Sequence, residues 1–192
     1  MRRLKPMKCI RPRGKKGIPH LDPDDPPRRR GNKQRGHGTW DNDRPPVLGV
    51  GGRDSGKLRL EVVRRSGRAD LEPRVLACTV PGTMVYTDEW KAYDHLAEQG
   101  RPHSTVCHDP RRAGGPEFAR DDDADGVREV HCNTLEGTWT GLRNFLRQFR
   151  GVSKNYLSQY VAIFEWICNL KTVTHPFIRA MLANVPNHKF GT

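Results

Sequence analysis

TMVYTDEWKAYDHLAEQGRPHSTVCH, residues 83–108, is the stretch on which the fold class turns. Thr83–Asp88 is apolar and β-branched and follows the chain-breaking pair Pro81-Gly82, so it reads as a strand ending at Asp88. Glu89–Gln99 reads as a helix stopped by Gly100, and HSTVCH (His103–His108) has the alternation and β-branched content of a second strand. Strand, helix and strand in so short a span imply an α/β architecture.

The flanking sequence extends that pattern. Upstream, the apolar runs PVLGVGGR and KLRLEVVRR are separated by Asp54-Ser55-Gly56, the chemistry of a hairpin turn. Asp70–Thr79 suits a short helix with an acidic first turn. Downstream, residues 109–129, with DDDAD and three glycines, read as a loop, and two longer helices follow at about Thr134–Arg150 and Lys154–Lys171. The expected fold is α/β, a mixed sheet flanked by helices, over residues 46–175, with a tail at 176–192. Residues 1–45 carry fourteen Lys and Arg against five Asp, and seven prolines. With few periodic apolar side chains, that extension is expected to be mostly disordered.

The chain of 192 residues has a formal charge of +12, most of it in the extension, which points to a polyanionic partner, nucleic acid first. No apolar run approaches the roughly 18 residues of a membrane span, and the N-terminal charges precede no apolar stretch. Five cysteines without a CxxC pair argue against a disulfide framework or zinc ribbon and for a reducing cytoplasm.

Two acids stand out. Asp88 closes a strand expected to be central, at the end where open α/β sheets place ligands, although an Asp there can also simply cap the next helix. On the helix after Asn133, Leu135, Trp139, Leu142, Leu146 and Phe149 share one face, and Glu136, Thr140, Arg143, Arg147 and Arg150 the other. A carboxylate heading a basic stripe suits metal-assisted chemistry on a phosphate backbone. Asn133 with Glu136 three residues on also spells a capping box, which needs no function at all. His103, Cys107, His108, His131 and Cys132 cluster in sequence, but their spacing fits no standard zinc pattern, so core cysteines and site-lining histidines are the simpler reading. Tyr156, Tyr160, Ile163, Phe164 and Ile167 on the last helix, widened by Leu157, Val161 and Cys168, read as core, with Glu165 and Lys171 outside that stripe.

The segments VYTDEWKAYDHL, H-STV-CH and VHCNTLEGTWTGLRNFLRQFRGVSKNYLSQYVAIFEWICNLK together resemble the ISXO-type group of DDE insertion-sequence transposases over roughly residues 45–175. The resemblance implies a ribonuclease-H-like catalytic domain that cuts and joins DNA with Mg²⁺ or Mn²⁺, acts as a homo-oligomer on element ends and target DNA, and works in the cytoplasm near the nucleoid. It implies Asp88 as second catalytic carboxylate and Glu136 as third. Arg143 stands where the family has a DNA-contacting lysine, keeping the charge and adding a bidentate fork for phosphate. Asn133, Trp139 and His131 match the pattern too, and Arg147 and Arg150 extend the phosphate-gripping face.

Asp22 is the candidate for the first carboxylate, in register when RRRGNK is laid on the family's basic loop. Pro23, Pro26 and Pro27 cannot donate ladder hydrogen bonds and argue against a central strand there, while Asp24 and Asp25 are out of register. No zinc ribbon or helix-turn-helix precedes the domain, so an N-terminally truncated or degenerate copy is expected, binding DNA through its basic tail in a salt-sensitive way. Two alternatives stay open: an inactive remnant that still binds DNA nonspecifically, and a basic interaction protein whose two acids only cap helices.

Overall fold

The structure is a computed structural model that describes residues 38–111, 113–170 and 173–183. Strands β1 (Val47–Gly51) and β2 (Leu58–Val62) form the antiparallel hairpin expected from the sequence, with Val47 opposite Val62 and Gly51 opposite Leu58. Helix α1 follows at Arg68–Cys78, then β3 (Val85–Asp88) and β4 (His103–Val106), which pair in parallel with Asp88 opposite Val106. The two-residue strands β5 (Ala119–Arg120) and β6 (Val130–His131) pair antiparallel, and helices α2 (Asn133–Arg147), α3 (Lys154–Asn169) and α4 (His175–Ala183) complete the chain.

Parallel and antiparallel pairing both occur, as expected for α/β. Among the described residues they form three separate two-stranded ladders instead of one sheet. Residues 1–37, and Asp22 with them, lie outside the described residues.

The hairpin explains the core. Successive strand residues point to opposite faces, and β1 buries both. Val47, with Leu60 of β2, meets Trp139, Leu142 and Leu146 of α2 and Leu157, Val161 and Phe164 of α3. Leu48, with Val63, meets Leu71 and Val75 of α1 and Ala92, Tyr93 and Leu96 beyond β3. A strand covered on both sides has to read as a continuous apolar run, which is why VLGV carries no polar residue. Gly49 is required by its neighbour: a Cβ there would lie 2.6 Å from Cη2 of Trp139.

Three segments depart from the sequence expectation. Residues 89–99 form no α-helix; a 3-10 turn at Lys91–Tyr93 leads into further i→i+3 turns, Leu96 N–H to Tyr93 O at 3.1 Å and Gln99 N–H to Leu96 O at 3.1 Å. Tyr93 and Leu96 are both buried, and their spacing of three eclipses them on one side of a three-residue turn. Gly100, at φ +71°, ends the segment. Helix α2 stops at Arg147, and Arg150 follows in a turn at φ +48°. The segment expected as a C-terminal tail opens with α4.

Helix α3 does more than pack. It buries Leu157, Val161 and Phe164, whereas Tyr156, Ile163 and Ile167 of the expected apolar stripe remain about half exposed. Its polar side chains instead close the free edge of β2. The Asn169 amide accepts from Leu58 N–H and donates to Leu58 O, both at 2.7 Å, and Glu165 accepts from Leu60 N–H at 2.5 Å and from the Arg59 guanidinium at 3.2 Å. Unpaired edge groups are a hazard that a covering helix removes.

Gly49→Ala is expected to cost about 1–3 kcal/mol in chemical denaturation, because a rigid indole cannot yield to the new methyl; an unchanged midpoint would mean that Trp139 does not lie against β1. Glu165→Ala is expected to lose a similar ~1–3 kcal/mol by leaving the Leu60 amide unpaired. Faster hydrogen exchange at that amide would report the loss directly, and protection as in the parent chain would contradict it.

Candidate active site

Asp88 and His108 occupy one edge of the molecule because β3 and β4 run parallel: Asp88 ends β3 opposite Val106, and His108 lies two residues beyond Val106. The first turn of α2 reaches the same place. Cys132, at the N-cap, belongs to a small core with Val106 and Val130 against which Tyr86 packs, so β3, β4, β6 and the start of α2 meet there. Glu136 lies in that first turn, its Oε1 3.8 Å from Nε2 of His108.

The hairpin is tied to this corner by one residue. Arg53 donates to the carbonyls of Glu129 and His131, the latter at 2.9 Å, and its guanidinium lies 4.1 Å from the centre of the Tyr86 ring. Thr87, buried behind Asp88, places its Oγ1 2.8 Å from Nε2 of His103.

Burial holds the Asp88 carboxyl above its usual range, an effect that the Trp90 amide and the nearby His108 partly offset. A carboxylate whose charged form is disfavoured by burial gains from a cation brought to it. Tyr93 also adjoins Asp88: burial, then that carboxylate, push its phenol well above the ordinary range. His131 titrates lower than usual, through burial and then the Arg53 charge.

The expected capping box is not formed. The N-cap is Cys132, with no side-chain cap, and Asn133 is the first helical residue; Glu136 donates its own amide to Cys132 O at 3.2 Å. With no Asn133 cap for it to complete, the Glu136 side chain is turned to His108. Arg143 lies two turns along α2, half-buried, its Nε enclosed without a hydrogen-bond partner among the described residues. Arg147 and Arg150 are exposed, but only Arg147 belongs to the helix. Trp139 corrects the sequence reading: at 1% exposure beneath β1 it has no surface to offer DNA and serves to fix α2.

The sequence marks His108 only as a site-lining histidine, since nothing in a lone His shows which acids it will face. Its neighbours in sequence do other work: Cys107 and Cys132 are buried free thiols, and His103 pairs with Thr87. Sequence reasoning also misses the acidic loop. Asp121, Asp123 and Glu129 bring ligand atoms within 4.8 Å of one another, the only such trio among the described residues. The available signal is an acid at every second position before Gly126. Loop amides already engage these carboxylates: Ala124 and Gly126 donate to Asp121, Asp125 to Asp123 and Asp122 to Glu129. Among the described residues no helix is long and apolar enough to cross a membrane.

The model of the ISXO2-like transposase domain matches residues 20–169. A protein described as an uncharacterized protein in transposable element ISH50, from Halobacterium salinarum, is 30% identical over 152 residues, covering 79% of this chain and 48% of its own length. The chain thus spans about half of that relative. No solved structure matches it. With the family pattern running through β3, β4, α2 and α3, the chain belongs to the ISXO2-like family of DDE insertion-sequence transposases.

Proposed function

We propose that the chain is the catalytic part of a transposase with a ribonuclease-H-like fold, cutting and joining the DNA of an insertion sequence. What supports this reading is that Asp88 and Glu136, from segments nearly fifty residues apart, both neighbour one half-buried imidazole, His108, beyond the C-terminal end of a parallel strand pair. Within a DDE family, two acids so placed have a ready purpose.

Asp88 and Glu136 would anchor Mg²⁺ or Mn²⁺, with Asp22 as the candidate third acid. When bound, divalent ions supply charge neutralisation at the phosphate and activation of the attacking hydroxyl. Everything else falls to the chain itself. Glu136 is held in place by α2, which Trp139 locks to the hairpin. Arg143 offers a fork for a backbone phosphate, and Arg147, Arg150 and the exposed Asn133 extend that contact. Water attack on a phosphodiester would release a 3′-hydroxyl, and attack of that hydroxyl on a target phosphodiester would form one bond as another breaks. A homo-oligomer would hold two ends, in the cytoplasm beside the nucleoid.

A second reading, an inactive chain that only retains DNA, draws support from Pro23, Pro26 and Pro27 around the candidate first carboxylate. One assay separates the two. With Mg²⁺ or Mn²⁺, the parent chain is expected to nick element-end DNA, and Asp88→Asn or Glu136→Gln to lower the rate about a thousandfold, equivalent to ~4 kcal/mol of lost charge stabilisation. Equal products from parent and variants would end the catalytic claim, and salt-sensitive DNA retention without nicking would establish the second reading. Arg143→Ala is expected to weaken DNA binding uniformly across sequences and to reduce the slope of log affinity against log salt by about one; an unchanged slope would remove Arg143 from the phosphate contacts.

A further inference from the structure

His108 is the least explained polar group near the two acids. Its side chain is 15% exposed, and both ring nitrogens are enclosed with no hydrogen-bond partner among the described residues. The ring lies 5.5 Å from Phe118, tilted at 37°, so an aromatic neighbour limits where it can turn. Buried imidazoles are normally hydrogen-bonded, and one that is not calls for an ion, a water or a chemical role.

The distance to Glu136 fits the first of these. At 3.8 Å the Nε2–Oε1 pair is too far apart for a hydrogen bond. Two ligand atoms on one divalent ion, with bonds of about 2.1–2.2 Å, lie ~3.0 Å apart at right angles and ~4.3 Å apart when opposed. The observed separation falls inside that interval. The pair comes from a loop anchored by β4 and a helix anchored by Trp139, so the spacing is set by rigid elements. Asp88 stands near the same ring, though no third ligand atom joins the pair within 4.8 Å among the described residues.

From this we infer that His108 is a metal-binding residue: its imidazole and the Glu136 carboxylate hold one divalent cation between them, with Asp88 beside it and the remaining positions left to water or phosphate oxygens. The inference rests on the metal-site reading above and deepens it. It also carries a consequence that an all-carboxylate site lacks. Imidazole is a borderline donor that suits the later transition metals best; Mn²⁺ is chiefly an oxygen-binding ion but, as a first-row transition metal, accepts a nitrogen ligand more readily than Mg²⁺, which favours oxygen alone. His108 therefore sets the metal preference, favouring Mn²⁺ over Mg²⁺.

The test is metal binding by the full chain without DNA, in an Asp121→Asn, Asp123→Asn background that removes the exposed acidic trio. Free Mn²⁺ is counted by its paramagnetic resonance signal, Mg²⁺ by competition, and the bound ion is probed by spin-echo modulation. The expected results are ¹⁴N modulation on bound Mn²⁺ that turns into a ¹⁵N pattern when histidine is ¹⁵N-labelled, its loss in His108→Ala, a fall of tenfold or more in Mn²⁺ affinity in that variant, and a change below twofold for Mg²⁺. The labelling arm uses the unsubstituted His108 and holds even if His108→Ala fails to fold.

Bound Mn²⁺ without nitrogen modulation, modulation that persists in His108→Ala, or equal loss of both metals would overturn the inference. If Asp88→Asn or Glu136→Gln still weakened Mn²⁺ binding in those cases, the carboxylate site would stand and only the role of His108 would fall. If none of the three substitutions changed binding, both readings would fall together.

Discussion

The indole of Trp139 lies against the backbone of Gly49, and the placement of the candidate site follows from that contact. Because position 49 carries no side chain, α2 can approach β1 closely enough to bury Trp139 at 1% exposure. Glu136 precedes Trp139 by three residues, so a helix fixed at the tryptophan also fixes the acid in its first turn. The opposite face of the same strand fixes the other acid. Leu48 packs with Tyr93 and Leu96, which holds the chain immediately after Asp88. One doubly buried strand thus sets the position of two carboxylates that it does not carry, and its apolar run VLGV is the sequence trace of that arrangement.

Much of this is legible in the amino-acid sequence. The hairpin, α1, β3, β4 and the two long helices follow from apolar periodicity and from Gly and Pro at the breaks, signals strong enough to survive without a partner in view. The 3-10 segment after Asp88 is not legible there, because its geometry answers to the surface that Tyr93 and Leu96 must reach. The same holds for Trp139, whose match to a family pattern suggests contact with DNA while its environment makes it core. Asn133 followed by Glu136 reads locally as a cap, yet the acid turns to His108 instead. In each case the competing signal comes from an element distant in sequence, which a local pattern cannot contain.

Helix α3 makes the same point about polar residues. Glu165 and Asn169 sit outside the apolar stripe and carry no motif, but together they complete the hydrogen bonding of the free edge of β2. The apolar part of the helix is correspondingly narrower than its composition suggests, with Tyr156, Ile163 and Ile167 left about half exposed. A helix can close a strand edge only by placing polar side chains on the face that meets it, so the mixed character of α3 is what its position beside an edge strand demands.

The distribution of unmet hydrogen-bonding capacity connects the fold to its proposed use. The hairpin backbone is paired through both strands and through α3. Elsewhere it is different: both nitrogens of His108 and Nδ1 of His131, at the corner where β4, β6 and α2 meet, and Nε of Arg143, two turns along α2, are enclosed without partners among the described residues. Each such group costs on the order of 1–3 kcal/mol. Arg44 Nε and Trp139 Nε1 are enclosed without partners elsewhere among the described residues, but the groups of His108, His131 and Arg143 lie where a cation or a phosphate could relieve them. Nitrogen lone pairs favour a cation and guanidinium protons favour a phosphate, and His108 and Arg143 supply one of each. Under the proposed function, that pairing of opposite demands is what bringing a metal and a DNA backbone together would require. A helix cap or a general basic surface would need only one of the two.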